Sequence, residues 1–374
     1  PLYCYSPEQA SAAACERMVQ GFNPAVRTGW IRGSQLQLIG QAGGVLYLSD
    51  PTLAGAARMR MRVGAGRYSI CGVTHTTASQ GAMQSIADLL SAPVTPWDAL
   101  ICTSQAVAGT VARVLEAETE MLRWRLGEGV RIAAPQLPVI PLGVHCDDYA
   151  FTDADRQAGR AALGLTEDEV ATLFVGRLAF TGKHHPFAVY RGLQAAAHRT
   201  GRRLVLVMCG WAPTEPIHAA FVSGAAAFAP DVRTIFVDGR ETEPRRHAWA
   251  AGDIFISLSD GIQETFGLTP IEAMAAGLPC VVSDWNGYKD TVRDGVDGFR
   301  VATWAPGAGP AGEALSRAQH VGESNYDRYL WEAAAATSVD AEALIGALTA
   351  LIENPDLCRQ MGAAGRRRAR EVFD

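Results

Sequence analysis

The sequence predicts an α/β protein made of two doubly wound parallel-sheet domains that face each other across a cleft. Three observations carry that expectation. Short apolar runs of strand length alternate with longer stretches of helical periodicity along nearly the whole chain, the pattern of parallel strands covered on both faces. A length of 374 residues exceeds what one core usually serves. A composition of 48% hydrophobic and 19% charged residues can fill two cores.

In the first half, apolar runs at 45–48, 68–73, 99–102 and 138–140 read as strands, with helices at 81–91 and 105–125. The second half repeats the pattern more cleanly. Strands are expected at 172–175, 204–209, 233–237, 253–258 and 279–283, with helices near 186–199, 215–228, 245–251, 270–276 and 341–353. Between the halves, Ile140-Pro-Leu-Gly-Val-His-Cys-Asp-Asp-Tyr149 leads into a polar stretch and an Ala-rich helix, so the domains are expected at 1–148 and 149–374. Ligand should bind at the carboxyl ends of the strands. Residues 302–325, rich in Ala, Gly and Pro, read as a loop insertion.

Composition narrows the function classes. With 33 Lys plus Arg against 39 Asp plus Glu the net charge is -6, which argues against nucleic acid as the main partner. None of the eight cysteines forms a Cys-x-x-Cys pair, and Cys71, Cys102, Cys209 and Cys280 sit in apolar runs, so buried reduced thiols and a cytoplasmic setting are expected. No apolar stretch is long enough to span a bilayer, and no signal peptide is legible.

Glu264 and Glu272 are the most informative pair. They lie in Asp260-Gly-Ile-Gln-Glu-Thr-Phe-Gly-Leu-Thr-Pro-Ile-Glu-Ala-Met-Ala-Ala-Gly277, one in a loop and the other at a helix start. Thr269 can be the N-cap, Pro270 the first helical residue and Glu272 the third, a Thr-x-x-Glu capping box. Free amides before such a helix favour a phosphate, and a carboxylate on either side suits the hydroxyls of a sugar and a ribose. A capping box beside one surface glutamate explains the same residues without a ligand.

Gly176-Arg-Leu-Ala-Phe-Thr-Gly-Lys183 follows the first strand of the second half, and its basic pair is suited to neutralising a diphosphate. Alone, Arg177 and Lys183 are equally well read as solvated loop charges. His184 and His185 make no metal site, because adjacent side chains point apart and no acidic partner stands at ligand spacing. Asp153-Ala-Asp155 precedes a helix and reads as capping. Asp284, Lys289 and Asp290 either border a sugar or serve as surface charges.

Taken together, Gly-Arg-Leu-x4-Lys, Glu-x-Phe-Gly-Leu-x-x-x-Glu-Ala-Met-Ala-x-Gly-x-Pro, Ser283-Asp-Trp-Asn-Gly287 and Asp294-Gly-Val-Asp-Gly-Phe299 occur in an order and spacing that resembles the retaining glycosyltransferases of family 4, which have the GT-B fold. The resemblance is specific over 173–301, weaker over 94–149, and faint before that. It implies that Gly176, Arg177 and Lys183 hold the donor diphosphate, and that Arg177 and Lys183 stabilise the departing nucleotide. It further implies that Glu264 contacts the transferred sugar, that Thr265, Phe266, Gly267 and Leu268 bring backbone to sugar and phosphate, and that Glu272 binds the ribose. The base would lie near Val237 and Asp238. His75, in Gly72-Val-Thr-His-Thr-Thr-Ala78, resembles the family's sugar-positioning histidine, although a lone histidine is also often structural.

The activity so implied is sugar transfer from a UDP-, GDP- or ADP-linked donor to a glycan, lipid or small-molecule hydroxyl, with retention of configuration, no metal and no cofactor. Two departures accompany it. The family's opening strand and Gly-rich loop are expected before Tyr3, so the first domain should lack its first strand, and the chain stops at Phe373-Asp374 where the family continues into a crossing helix. A non-hydrolysing nucleotide-sugar epimerase and a catalytically silent nucleotide-sugar-binding protein share the fold and stay open as alternatives. A nicotinamide oxidoreductase does not fit, since Gly40-Gln-Ala-Gly-Gly44 and Gly64-Ala-Gly66 lack the dinucleotide fingerprint. The cluster Arg366-Arg-Arg-Ala-Arg370 leaves peripheral contact with the inner face of the membrane open, a solvated helix end being the alternative.

Overall fold

The structure is a computed structural model that describes residues 1–180, 182–307 and 309–374. Thr181, within the basic loop, and Ala308, within 302–325, lie outside the described residues. The chain divides into two compact units, Pro1–Cys102 with Ala108–Ile140, and Thr103–Val107 with Pro141–Asp374.

The first unit runs β1 (Leu2–Ser6), α1 (Gln9–Phe22), β2 (Thr28–Arg32), α2 (Leu36–Ala42), β3 (Val45–Tyr47), α3 (Leu53–Arg60), β4 (Ser69–Val73), α4 (Gln80–Ser91), β5 (Ala99–Ile101) and most of α5 (Gln105–Leu126). β1 and β2 pair in parallel, and β3, β4 and β5 form a separate parallel sheet. β1, α1 and β2 occupy a stretch the sequence pattern left unassigned, and their exposure explains why: β1 has no fully buried residue and α1 buries only Ala12. The run at 138–140 contributes an isolated parallel bridge, Cys102 with Val139, rather than a strand. Leu53, Ile70, Ile86, Leu89 and Leu100 are wholly buried around β4 and β5. Among them Arg60 is also wholly buried, where Asp98 takes its guanidinium at 2.6 and 2.8 Å.

The second unit continues with α6 (Asp153–Ala162), β6 (Val170–Val175), α7 (Phe187–Thr200), β7 (Leu204–Gly210), α8 (Glu215–Phe228), β8 (Arg233–Asp238), α9 (Thr242–Ala251), β9 (Ile254–Ser257), α10 (Leu268–Ala276), β10 (Cys280–Ser283), α11 (Tyr288–Thr291) and β11 (Gly298–Val301). After these come β12 (Thr303–Trp304), α12 (Pro310–His320), α13 (Tyr326–Ala335), β13 (Ser338–Val339), α14 (Ala341–Glu353) and α15 (Pro355–Val372). Residues 141–148, grouped with the first domain in the sequence reading, pack here: Cys146 is buried in this unit's core, with Leu142 and Val144 against it. The expected loop insertion contains α12, which starts at Pro310 behind Gly309 and buries none of its residues. Burying no residue fully and made largely of small residues, it left no helical signal in the composition.

Six parallel strands form one sheet in the order β11-β10-β9-β6-β7-β8. Alternate residues of β7 feed two cores. Leu204, Leu206 and Met208 face the layer of α7 and α14, while Val205, Val207 and Cys209 face that of α9 and α10. Burial on both faces is why these strands read as unbroken apolar runs. The order reverses between β6 and β9, and at such a switch point the loops leaving the two strands diverge and open a crevice.

Candidate functional site

The loop after β6 carries Arg177 and Lys183, and the loop after β9 carries Asp260 and Glu264. Both loops leave the switch point, and they meet there: Lys183 Nζ lies 3.3 Å from Glu264 Oε2, with the lysine 40% and the glutamate 10% exposed. Arg177 is exposed and folds its guanidinium over Gly182, where a Cβ would sit 2.5 Å from Nη2. Beside them, the strand ends approach through glycine. A Cβ on Gly210 would fall 1.8 Å from the Gly176 carbonyl oxygen, and one on Gly239 would fall 3.0 Å from Gly210 Cα. A cavity of about 430 Å³ opens over these ends, lined by Leu178, Gly210, Trp211, Val237, Asp238 and Arg240 among others. Val237 is buried, whereas Asp238 is held by Arg240, whose hydrogen bonds keep its carboxyl well below the usual carboxylate range.

The helix start differs from the capping box expected at Thr269. α10 begins at Leu268, its N-cap is Gly267 at φ 92°, and no side chain caps it. Thr269 instead lies beside the Tyr288 hydroxyl, and Glu272 lies beside the Tyr149 hydroxyl. Left-handed Gly267 lets the chain turn into the helix two residues earlier than expected, so Glu272 is released from capping and lies beside Tyr149. Burial pushes the Glu272 carboxyl up, and the Tyr149 bond with the charges of Arg245 and Lys183 offsets part of that.

The motif at 283–287 supports this loop. Ser283 Oγ donates to the Ser259 carbonyl at 2.7 Å, Trp285 Nε1 donates to the Gly261 carbonyl at 3.0 Å, and the Tyr288 and Ser257 hydroxyls bond at 2.8 Å. Gly287 lies so close that a Cβ would meet Phe266 Cα at 2.3 Å. Phe266 is a core side chain, 1% exposed. Asp284 pairs with Arg300 at 3.4 Å and with Lys289 at 4.0 Å.

Elsewhere, Asp155 completes a capping box with Thr152 on α6, as its position before a helix led one to expect. His184 is buried against the edge of Phe174, and burial lowers its imidazole to about 3, so it is neutral. Arg366 donates to the Ala276 carbonyl, Arg368 to the Asp290 carbonyl and Arg370 to Asp147, so these three cations of the terminal cluster have internal partners. His75 is exposed on the turn after β4 in the first unit. All eight cysteines are free thiols, with Cys102, Cys146, Cys209 and Cys280 buried. Among the described residues no helix is long and apolar enough to cross a membrane.

Sequence reasoning missed Tyr149, Arg245 and Gly210 as parts of the site. Tyr149 and Arg245 reach Glu272 from elements distant in sequence, and no local pattern marks them. Gly210 ends an apolar strand, where a glycine is itself a sign of close backbone approach.

Compared with known proteins, the chain takes the α/β GT-B fold of glycosyltransferases. It is similar to HepE of Anabaena in complex with UDP, with a TM-score of 0.63 and 15% identity over 100% of this chain and 96% of that one. Similarity to sucrose-phosphate synthase from Thermosynechococcus elongatus reaches a TM-score of 0.54 at 20% identity, over 94% of this chain and 80% of that one. Residues 169–309 match the family model described as glycosyl transferases group 1. The D-inositol 3-phosphate glycosyltransferase of Mycobacterium tuberculosis is 33% identical over 208 residues, covering 49% of this chain and 39% of the relative. The chain thus spans about two fifths of the length of the curated relatives it matches.

Proposed function

We propose that this protein is a glycosyltransferase that moves a sugar from a nucleotide-sugar donor to a hydroxyl acceptor, with retention of configuration and without a metal ion. The observation that carries the reading is the pairing of Lys183 with Glu264 at 3.3 Å, at the switch point and beside the glycine-lined strand ends. A cation and a carboxylate so placed match the two sides of the bond to be broken. Lys183 and Arg177 bind the diphosphate beside Gly176 and stabilise it as it leaves, and Glu264 accepts hydrogen bonds from the sugar hydroxyls. Backbone from Thr265 through Leu268 meets sugar and phosphate, supported by the free amides at the start of α10. Glu272, with Tyr149 beside it, receives the ribose hydroxyls, and the base lies in the cavity by Val237 and Asp238. His75 keeps the sugar-positioning role that the family resemblance implies.

In this reading the acceptor attacks from the face the diphosphate leaves, through an oxocarbenium-like transition state. Fixed cations aimed at the developing charge supply most of the acceleration. The donors of choice are UDP-sugars, with GDP- and ADP-sugars as the alternatives, and the acceptor is a glycan, lipid or small-molecule hydroxyl. The protein acts in the cytoplasm, at the inner membrane face where the acceptor is a lipid.

A melting screen with UDP, GDP, ADP and their sugars tests the donor, since a ligand at about 100 times its Kd stabilises by roughly 2.7 kcal/mol. Lys183→Ala should lower nucleotide affinity about tenfold or more, and Glu264→Gln should lower turnover by roughly 10²-fold or more. Product NMR reads the anomeric configuration, and activity in EDTA reads the metal requirement. The reading fails if no nucleotide raises the melting temperature, or if Glu264→Gln turns over as fast as the wild type.

A further inference from the structure

We propose that Asp260 is the positioning residue that sets Lys183 against Glu264, by fastening the turn that bears the cation to the loop that bears the carboxylate. The inference rests on the donor-site reading of that pair.

Asp260 is 7% exposed on the loop after β9, four residues before Glu264. Its Oδ2 accepts the His185 backbone N–H at 2.9 Å, and the neighbouring Ser259 hydroxyl donates to the Lys183 carbonyl at 3.3 Å. The turn is therefore tied at Lys183 itself and again two residues on. Within the turn the Lys183 N–H reaches the Ala179 carbonyl at 3.4 Å and His185 Nδ1 accepts the Phe187 N–H at 3.3 Å, while His184, between the two ties, is buried with both ring nitrogens lacking a partner. The loop side of the clamp is in turn held by Ser283 and Trp285 through the carbonyls of Ser259 and Gly261. This continuous path places a flexible lysine within reach of one carboxylate oxygen.

The choice of an aspartate here is costly. Asp260 Oδ1 is buried and has no hydrogen-bond partner, and an acceptor for one backbone N–H requires no ionisable group. Burial pushes the carboxyl up to about 7, so it changes charge within the working range of pH. His185 of the turn, Arg191 of α7 and Glu342 of α14 line the same cavity of about 660 Å³ as Asp260, and Lys183 and His184 directly precede His185 in the chain. Protonated, Asp260 keeps the clamp and leaves Lys183 free to attract an anion. Ionised, it adds negative charge behind the turn and weakens the hold on a diphosphate.

The test is UDP affinity by calorimetry, from about pH 5.5 to 8.5, for the wild type, Asp260→Asn, Asp260→Ala and Lys183→Ala. Wild-type affinity should fall as pH rises through about 7, and Asp260→Asn, which keeps an acceptor for the His185 N–H, should bind within about threefold of wild type at low pH and lose that fall. Asp260→Ala should bind about tenfold more weakly. Ionisation of UDP itself is common to both proteins and cancels in the comparison. A pH-dependent fall that survives unchanged in Asp260→Asn overturns the proposal, and this readout stands even if Asp260→Ala fails to fold. Affinity of a folded Asp260→Ala within about twofold of wild type overturns it equally. If Lys183→Ala binds UDP as well as wild type, the donor-site reading itself fails; if Lys183→Ala loses affinity and Asp260→Ala does not, only the positioning role falls.

Discussion

Replacing Gly267 by alanine probes how rigidly the Glu264 loop is braced. Gly267 stands at φ 92°, and a Cβ there would lie 2.2 Å from Tyr288 Cε1 and 2.4 Å from Cδ1. The ring cannot swing aside cheaply, because Tyr288 is 1% exposed and its hydroxyl is bonded to Ser257 at 2.8 Å. A non-glycine residue in left-handed geometry costs about 1–2 kcal/mol, and overpacking a filled core costs about 1–3 kcal/mol more. The sum, about 2–5 kcal/mol, should lower the melting temperature by on the order of 10 °C for a unit of this size. Differential scanning calorimetry measures it. Pairing Gly267→Ala with Tyr288→Ala in a double-mutant cycle should return about 1–3 kcal/mol, the overpacking share, leaving the backbone share in place. A loss below about 1 °C in Gly267→Ala would refute the reasoning, since it would mean the loop relaxes without strain.

Gly210→Ala brings a methyl against the Gly176 carbonyl and should part the ends of β6 and β7, lowering nucleotide affinity about tenfold in calorimetry; unchanged affinity would show that the close approach is not needed. Asp98→Ala leaves the wholly buried Arg60 without its partner and should destabilise the first unit by about 3–5 kcal/mol in urea unfolding, a cost below about 1 kcal/mol counting against it. Burial raises the Asp260 carboxyl from the ordinary 3.8 to about 7, so the stability it contributes is complete below the unfolded value and is lost as pH rises through 7. The melting temperature should accordingly drop between about pH 5 and 8, with a smaller drop in Asp260→Asn; superimposable profiles would exclude Asp260 as the cause.

Much of the second unit was legible because its strands are buried on both faces. Runs such as Leu204–Gly210 carry their burial in composition alone, and the helices that cover them keep an apolar stripe. The first unit was harder to read. β1 and β2 are short and between them bury only Ile31, so they show neither a continuous apolar run nor clean alternation. α12 hid in a stretch of Ala, Gly and Pro for the same reason.

By itself the sequence determined the strand and helix alternation, the two basic residues at 177 and 183, and the two glutamates at 264 and 272 that follow a second strand. Each of these depends on neighbours in the chain, through periodicity, turn residues and motif spacing. Only the tertiary structure decided which residues meet. It put β6 beside β9, so that Lys183 reaches Glu264, and brought Tyr149 to Glu272. It also replaced the expected cap at Thr269 by Gly267, whose left-handed backbone starts the helix at Leu268. Such pairings follow from strand order and from the competition of buried polar groups for partners, and neither quantity is written in local sequence.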